Sequence, residues 1–267
     1  LYVLTGSHNT FRKNSVYNVT NNILGITVAA DQCGMGLQES ADNLVEYNNF
    51  SFIKNSGVDY YYENRSTVRY NYFYHLNAGG AYPHGTNLSI YGNIFNLDNA
   101  EIGMNADPIW QGKILVYDNV FYGTKSLGLM VTSSIGAVTF RNNIVFGGTS
   151  GILLTDFDSK TDSDYNCFYA IGSASFRKNG VSYSSLSAFQ IATGSDVHSI
   201  YSDPQFVSST PLVAGDFKLK SASLCINAGA DLKAQGIIPQ SQELRDYAGT
   251  IIPQGAGYDI GAFEYAG

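Results

Sequence analysis

The sequence predicts an all-β chain wound as a right-handed parallel β-helix, a solenoid of about seven coils with a C-terminal segment packed along it. Three observations predict it. An asparagine returns about every 22–26 residues, at Asn48, Asn71, Asn93, Asn119, Asn143 and Asn166, with Asn14 as an outlying first member. Apolar residues keep fixed offsets from it. Val16, Phe50, Phe73, Phe95, Phe121, Val145 and Phe168 stand two residues after, and Phe11, Val45, Val68, Ile90, Val116 and Phe140 three before. A glycine then opens another short apolar run in each unit, as in Gly25-Ile-Thr-Val, Gly57-Val-Asp-Tyr, Gly80-Ala-Tyr, Gly103-Met-Asn, Gly128-Leu-Met-Val and Gly151-Ile-Leu-Leu.

Each element follows from local chemistry. Val, Ile, Phe and Tyr alternate with polar residues, the period of half-buried strands, and Gly, Asn, Ser and Thr separate the runs as turns. Two or three such strands in one unit make one coil, and coils stack at the inter-strand spacing of about 4.8 Å. A side-chain amide both donates and accepts, so asparagines at equivalent turns can bond the coil above and the coil below. The asparagine column is therefore expected to be scaffold. The interval from Asn14 to Asn48 is longer than the others, and its surplus falls around Asp31–Asp42 (DQCGMGLQESAD). Insertions in a solenoid become loops on one face, often the binding face.

Composition narrows the partners. The chain has 267 residues, 14% charged, with a net charge of −7 and no basic run. Nucleic acid is not an expected partner. No apolar stretch is long enough to span a membrane. The cysteines Cys33, Cys167 and Cys225 allow at most one disulfide and are expected as buried thiols. Tyr2-Val-Leu already reads as a coil strand. A solenoid end needs covering, so further N-terminal coils or a partner over that end are expected.

After about residue 170 the repeat fades, dividing the chain into coils at 1–170 and an extension at 171–267 that packs on and completes them. The extension carries Ser202-Asp-Pro-Gln-Phe-Val, Gly215-Asp-Phe-Lys-Leu, Ser221-Ala-Ser-Leu-Cys-Ile-Asn-Ala-Gly, Asp246-Tyr-Ala-Gly and Gly257-Tyr-Asp-Ile-Gly-Ala-Phe-Glu-Tyr. These ordered blocks resemble the C-terminal region of secreted bacterial right-handed β-helix proteins of the pectate-lyase-like superfamily, with Leu224 where that pattern has Pro and Asn227 where it has Asp. The resemblance implies a secreted, carbohydrate-related protein. It does not pick the reaction, because such folds host several. Phe206, Phe217, Leu219, Ile226, Ile260 and Phe263 can cover apolar coil surface, while Asp203, Asp216, Asp246, Asp259 and Glu264 sit in turn contexts.

Strand parity places a candidate site. With Val58, Tyr60, Met104, Leu129 and Val131 inward, the alternates form an outward stripe that includes Asp31, Asp59, Tyr61, Glu63, Tyr82, His84, Asn105 and Asp107. Asp59, Asp107, Glu63, His84 and Asp31 are the catalytic candidates. Tyr61, Tyr82, Asn105, Glu39 and Trp110, the one tryptophan, are candidates for holding sugar. Asp59 and Asp107 lie two coils apart, near the spacing of about 6.5–9.5 Å for inverting glycosidases, and Asp31 and Asp59 one coil apart, near the retaining spacing of about 5–5.5 Å. Hydrolysis of glycosidic bonds is the first expectation, with no cofactor required. A polysaccharide lyase is the second. It would draw a base from Tyr61, His84, Lys54 or Arg65, with Ca²⁺ possible on Asp31, Asp59, Glu63 and Asp107. A non-catalytic glycan-binding or adhesin module is the third. A further acidic stretch, Asp156-Phe-Asp-Ser-Lys-Thr-Asp-Ser-Asp, resembles a Ca²⁺ loop only loosely.

Overall fold

A computed structural model describes residues 2–19, 33–97, 102–108, 112–123, 127–131, 136–147, 150–154, 160–171 and 176–267. One turn shows the path. Ser56–Tyr61 lies in a first sheet, Thr67–Arg69 in a second, Tyr72–Leu76 in a third, and Gly79–Tyr82 returns to the first. The returning strand pairs in parallel with the one it left, Gly79 on Ser56, Ala81 on Val58 and Tyr82 on Asp59. Among the described residues, repetition builds an 11-stranded first sheet with its corner strands, a 7-stranded second sheet and an 8-stranded third sheet. This is the expected all-β parallel solenoid.

Residue spacing explains the interior. Phe50, Phe73, Phe95 and Phe121 are fully buried and stack face to face, with centroids 4.9, 4.6 and 4.8 Å apart. Each ring passes beneath a first-sheet glycine. A methyl group on Gly57 would stand 2.4 Å from the Phe73 ring and 2.7 Å from the Gly80 carbonyl, so only glycine fits. Beside the rings runs the asparagine ladder. The Nδ2 of Asn48 donates to Oδ1 of Asn71 at 3.0 Å, and the same bond repeats from Asn71 to Asn93, Asn93 to Asn119, and Asn119 to Asn143 at 3.0–3.1 Å. Asn143 reaches Asn166 at 3.3 Å, and there Asp196 and Ser199 take over the bonding. The polar groups of the turn are thus satisfied away from water.

The coil hydrogen bonding runs past residue 170. Phe176–Lys178 pairs with the first-sheet strand Ser150–Leu154, and Ile200–Tyr201 pairs with Cys167–Tyr169. Between them the chain makes an antiparallel hairpin with Val181–Tyr183 and then a helix, Leu186–Thr193. Ser185 caps its N-terminus, Gly194 in the left-handed region ends it, and Phe189 stacks on Phe176. The helix closes the C-terminal end of the core.

The rest of the extension lies over the outside, as expected. Phe206, Phe217, Leu219, Ile260 and Phe263 bury Tyr72, Ile94, Val120 and Ile144 of the third sheet. Leu232, Ile238 and Leu244 cover the tyrosine column Tyr70, Tyr91 and Tyr117. The tail carboxylates are turn acceptors. Asp259 receives N–H bonds from Asn227 and Tyr265, Asp246 from Thr250 and Glu264, and Asp216 from Leu212 and Val213.

Candidate active site

The outer face of the first sheet carries two parallel columns, two residues apart along each strand. In one, Gly36 pairs with Asp59 and Asp59 with Tyr82. Ala81 pairs with Met104, which sets Tyr82 beside Asn105. In the other, Gln38 pairs with Tyr61, the Tyr61 ring stacks on His84 with centroids 5.4 Å apart, and His84 pairs with Asp107. Their inward neighbours Val58, Tyr60, Met104, Leu129 and Val131 are buried, as strand parity requires.

The two columns differ in chemistry. Asp59 is half-buried, and that burial pushes its carboxyl up to about 6, against the opposing pull of nearby His84 and of the Tyr60 backbone N–H. It is thus held protonated under conditions in which an open carboxyl is ionised. In the second column, Nδ1 of His84 lies 2.7 Å from Oδ2 of Asp107. The ring's other nitrogen, Nε2, is shut off from solvent and has no hydrogen-bond partner among the described residues. Tyr62 meets the His84 ring edge-on at 5.1 Å. A hydrogen bond to Tyr62 holds the Tyr61 phenol above its ordinary range. Glu39 is exposed beside this group, its N–H bonded to the Tyr61 carbonyl at 2.8 Å. The Tyr82 ring lies 2.5 Å from where a Gly79 side chain would begin.

Two sequence-based expectations change. Glu63 does not belong to the outward stripe. The strand breaks at Tyr62, whose φ of 57° turns the chain, and Glu63 points into the corner with no exposed surface. There it accepts bonds from Ser40 at 2.5 Å, from Asn43 at 2.9 Å and from Ser66. Asp59 and Asp107 do not share a column either. Two coils of about 4.8 Å and two residues of about 3.3 Å separate them, so their α carbons stand about 12 Å apart. That exceeds the expected carboxylate spacing, and Asp107 is committed to His84. Asp31 and Trp110 lie outside the described residues, as do Asp156 and Asp158 of the second acidic stretch. Its Asp162 and Asp164 are engaged by Arg141, and Asp164 also by His198 at 2.7 Å.

Tyr62, expected from the sequence only as one of several flat rings for a sugar, stands directly against the His84 ring. Its signal was the run Tyr60-Tyr61-Tyr62, in which alternation sends one ring into the core and the left-handed turn brings the third back beside the second. Among the described residues no group of three or more His, Cys, Asp or Glu side chains is arranged to hold a metal ion. The site is an open sheet face. Clefts of about 290, 330 and 340 Å³ lie elsewhere, one lined by Tyr122, Phe146 and Lys220 under the tail.

Residues 1–168 match the family described as "Right handed beta helix region". No curated protein matches the chain.

Proposed function

Because the chain belongs to the right-handed β-helix family, whose members are often carbohydrate-active, we propose that it hydrolyses glycosidic bonds of a poly- or oligosaccharide outside the cell. The observation that carries this reading is the pairing of a protonated carboxyl with an imidazole–carboxylate pair on one open face. Asp59 and His84 stand one coil and two residues apart, about 8 Å between α carbons, room for a sugar and a water between an acid and a base. Asp59 gives its proton to the glycosidic oxygen as the bond to the leaving sugar breaks. The His84–Asp107 pair takes a proton from the attacking water. Asp107 held on Nδ1 fixes the tautomer that leaves Nε2 free to accept a proton. Tyr61 and Tyr62, 40% and 37% exposed, flank the His84 ring, so access of water to Nε2 requires them to swing aside. The same rings, with Tyr82, offer flat faces to a sugar.

The described residues favour hydrolysis over elimination. A lyase needs a cation to neutralise a uronate carboxylate, and neither column carries Lys or Arg beside Asp59, Tyr82, Asn105, Tyr61, His84 or Asp107; Arg177 continues the first column three coils beyond Asn105. Arg65 is held by Asp42 in a two-pronged pair at 2.8 and 2.7 Å. Lys54 lies at another corner, in a cleft with Phe52 and His75.

Incubation with a polysaccharide panel tests the reading. New reducing ends without unsaturated product are expected, and Asp59→Asn and His84→Asn each lower the rate by about 10²–10⁴-fold. Unsaturated ends absorbing near ~235 nm, from the double bond that β-elimination leaves, would mean a lyase. Binding without cleavage would mean a glycan-binding module. Detection of the protein only inside fractionated cells would remove the extracellular assignment.

A further inference from the structure

Two of the three cysteines face each other across the seam between the coils and the tail. Cys167 opens the strand Cys167–Tyr169 in the third sheet, stacked between Ile144 and Ile200. Its neighbour Phe168 points inward onto Phe176, so Cys167 points out of the coil, where the tail covers it. Cys225 sits in that cover. Both side chains are fully buried in one apolar cluster with Phe206, Phe217, Leu219 and Ile260. There the two thiols are within hydrogen-bonding reach of each other, and Cys167 Sγ also donates to the Ser202 carbonyl at 3.2 Å.

Both backbones are held. Cys167 N–H bonds the Asn143 carbonyl at 2.8 Å, the Cys225 carbonyl accepts from Ile260 at 2.9 Å, and Cys225 N–H bonds Ser223 Oγ at 3.2 Å. Sheet pairing on one side and tail turns on the other therefore set their separation. Hydrophobic packing alone does not ask for two thiols in contact, since any small apolar pair fills such a space. Thiols already in contact need only a short approach to reach a bond of about 2.05 Å.

We propose that Cys167 and Cys225 are a cross-linking pair that oxidises to a disulfide and fastens the tail onto the coils. The oxidant is another disulfide, such as oxidised glutathione or the active disulfide of a thiol oxidase. One cysteine thiolate attacks it, expels a thiolate and leaves a mixed disulfide. The second cysteine attacks the protein sulfur of that bond and expels the remaining thiolate. The two protein thiols lose two protons and two electrons, and the oxidant is reduced to two thiols. Burial in the docked state keeps solutes out, so the exchange belongs to folding, before the tail closes. The inference is independent of what the outer face binds.

The test is refolding of the chain in a glutathione redox buffer. Free thiols are then alkylated in denaturant, and peptides are mapped by mass spectrometry without reduction. The expected result is one linked peptide pair carrying Cys167 and Cys225, with Cys33 alkylated. A reductant should lower the thermal midpoint of the oxidised wild type by about 10 °C, the scale for opening a loop of this length in a chain of this size. It should leave the Cys167→Ala/Cys225→Ala variant unmoved. Alkylation of both Cys167 and Cys225 after oxidative refolding, or linkage of either to Cys33, overturns the proposal. The mapping is read on the wild type, so it does not depend on a variant folding.

Discussion

Asp59 shows how little surface chemistry a sequence needs to specify once strand parity is known. Its outward position was legible from Val58 and Tyr60 on either side, both buried. Its environment was not, because that comes from neighbouring coils: His84 belongs to the next one, and burial raises the carboxyl to about 6. The acid must be protonated to donate, so the alkaline limb of the activity profile should begin near pH 6 and fall about tenfold per pH unit above it. A pH–rate profile checks this, and an unchanged rate from pH 5 to pH 8 would remove Asp59 as the acid. Glu63 makes the converse point. Alternation placed it outward with Asp59 and Tyr61, but the left-handed turn at Tyr62 broke the count. Nothing in the residue type announces such a turn, because a tyrosine with positive φ is uncommon. Once the parity changed, a carboxylate in a turn took the available donors of Ser40, Asn43 and Ser66.

At the scale of elements, the ladder and the phenylalanine column hold the coils in register. Each asparagine lies in its own turn, but its partners lie in the turns before and after. Asn93 donates to Asn119 at 3.1 Å and to the carbonyls of Val68 and Tyr91, and it accepts from the backbone and side chain of Asn71. Asn93→Ala leaves several buried groups unpaired, each costing about 1–3 kcal/mol, and should destabilise the chain by about 3–5 kcal/mol. Asn14→Ala, at the exposed start of the ladder, should cost less than about 1 kcal/mol. Urea unfolding of both variants checks the contrast, and equal losses would show that the ladder does not carry the difference. The period of the asparagines made this element legible, because repeated offsets survive any uncertainty about where each strand begins. The helix Leu186–Thr193 was missed. It follows the last coil, where no repeat guides the reading, and its signals were only Ser185, the spacing of Leu186 and Phe189, and Gly194.

In the whole molecule the tail decides what the coils expose. It buries Tyr72, Ile94, Val120 and Ile144 of the third sheet and the tyrosines Tyr91 and Tyr117 at the ends of second-sheet strands, and among the described residues these two clusters include no outward residue of the first sheet, where the candidate site lies. The seam holds acids in their neutral form. Burial raises Asp118 from 3.8 to about 8, partly offset by a hydrogen bond with Asn142 and reinforced by Glu264, which burial itself raises to about 7. A carboxyl with a raised folded pKa stays protonated in the fold after the unfolded chain has released its proton. Folding stability therefore falls as pH rises from about 4 to about 8, and it is greatest at the acid end of that window. Asp118→Asn removes this titration and keeps a residue that tolerates the φ of 55° found there. Its urea midpoint should change less between pH 5 and pH 8 than that of the wild type, and an equal slope would place the pH dependence elsewhere. By itself the sequence determined the solenoid, the ladder and the inward and outward faces, because these depend on offsets within one coil and repeat in every coil. It also pointed to a tail lying along the coils, through its spaced apolar residues. Only the tertiary structure decided that Glu63 turns inward, that Asp107 serves His84 and not Asp59, and that Cys167 meets Cys225. Those outcomes depend on which residue of another coil, or of the tail, comes to lie alongside, and that is set by stacking register and by turns whose backbone angles no residue type prescribes.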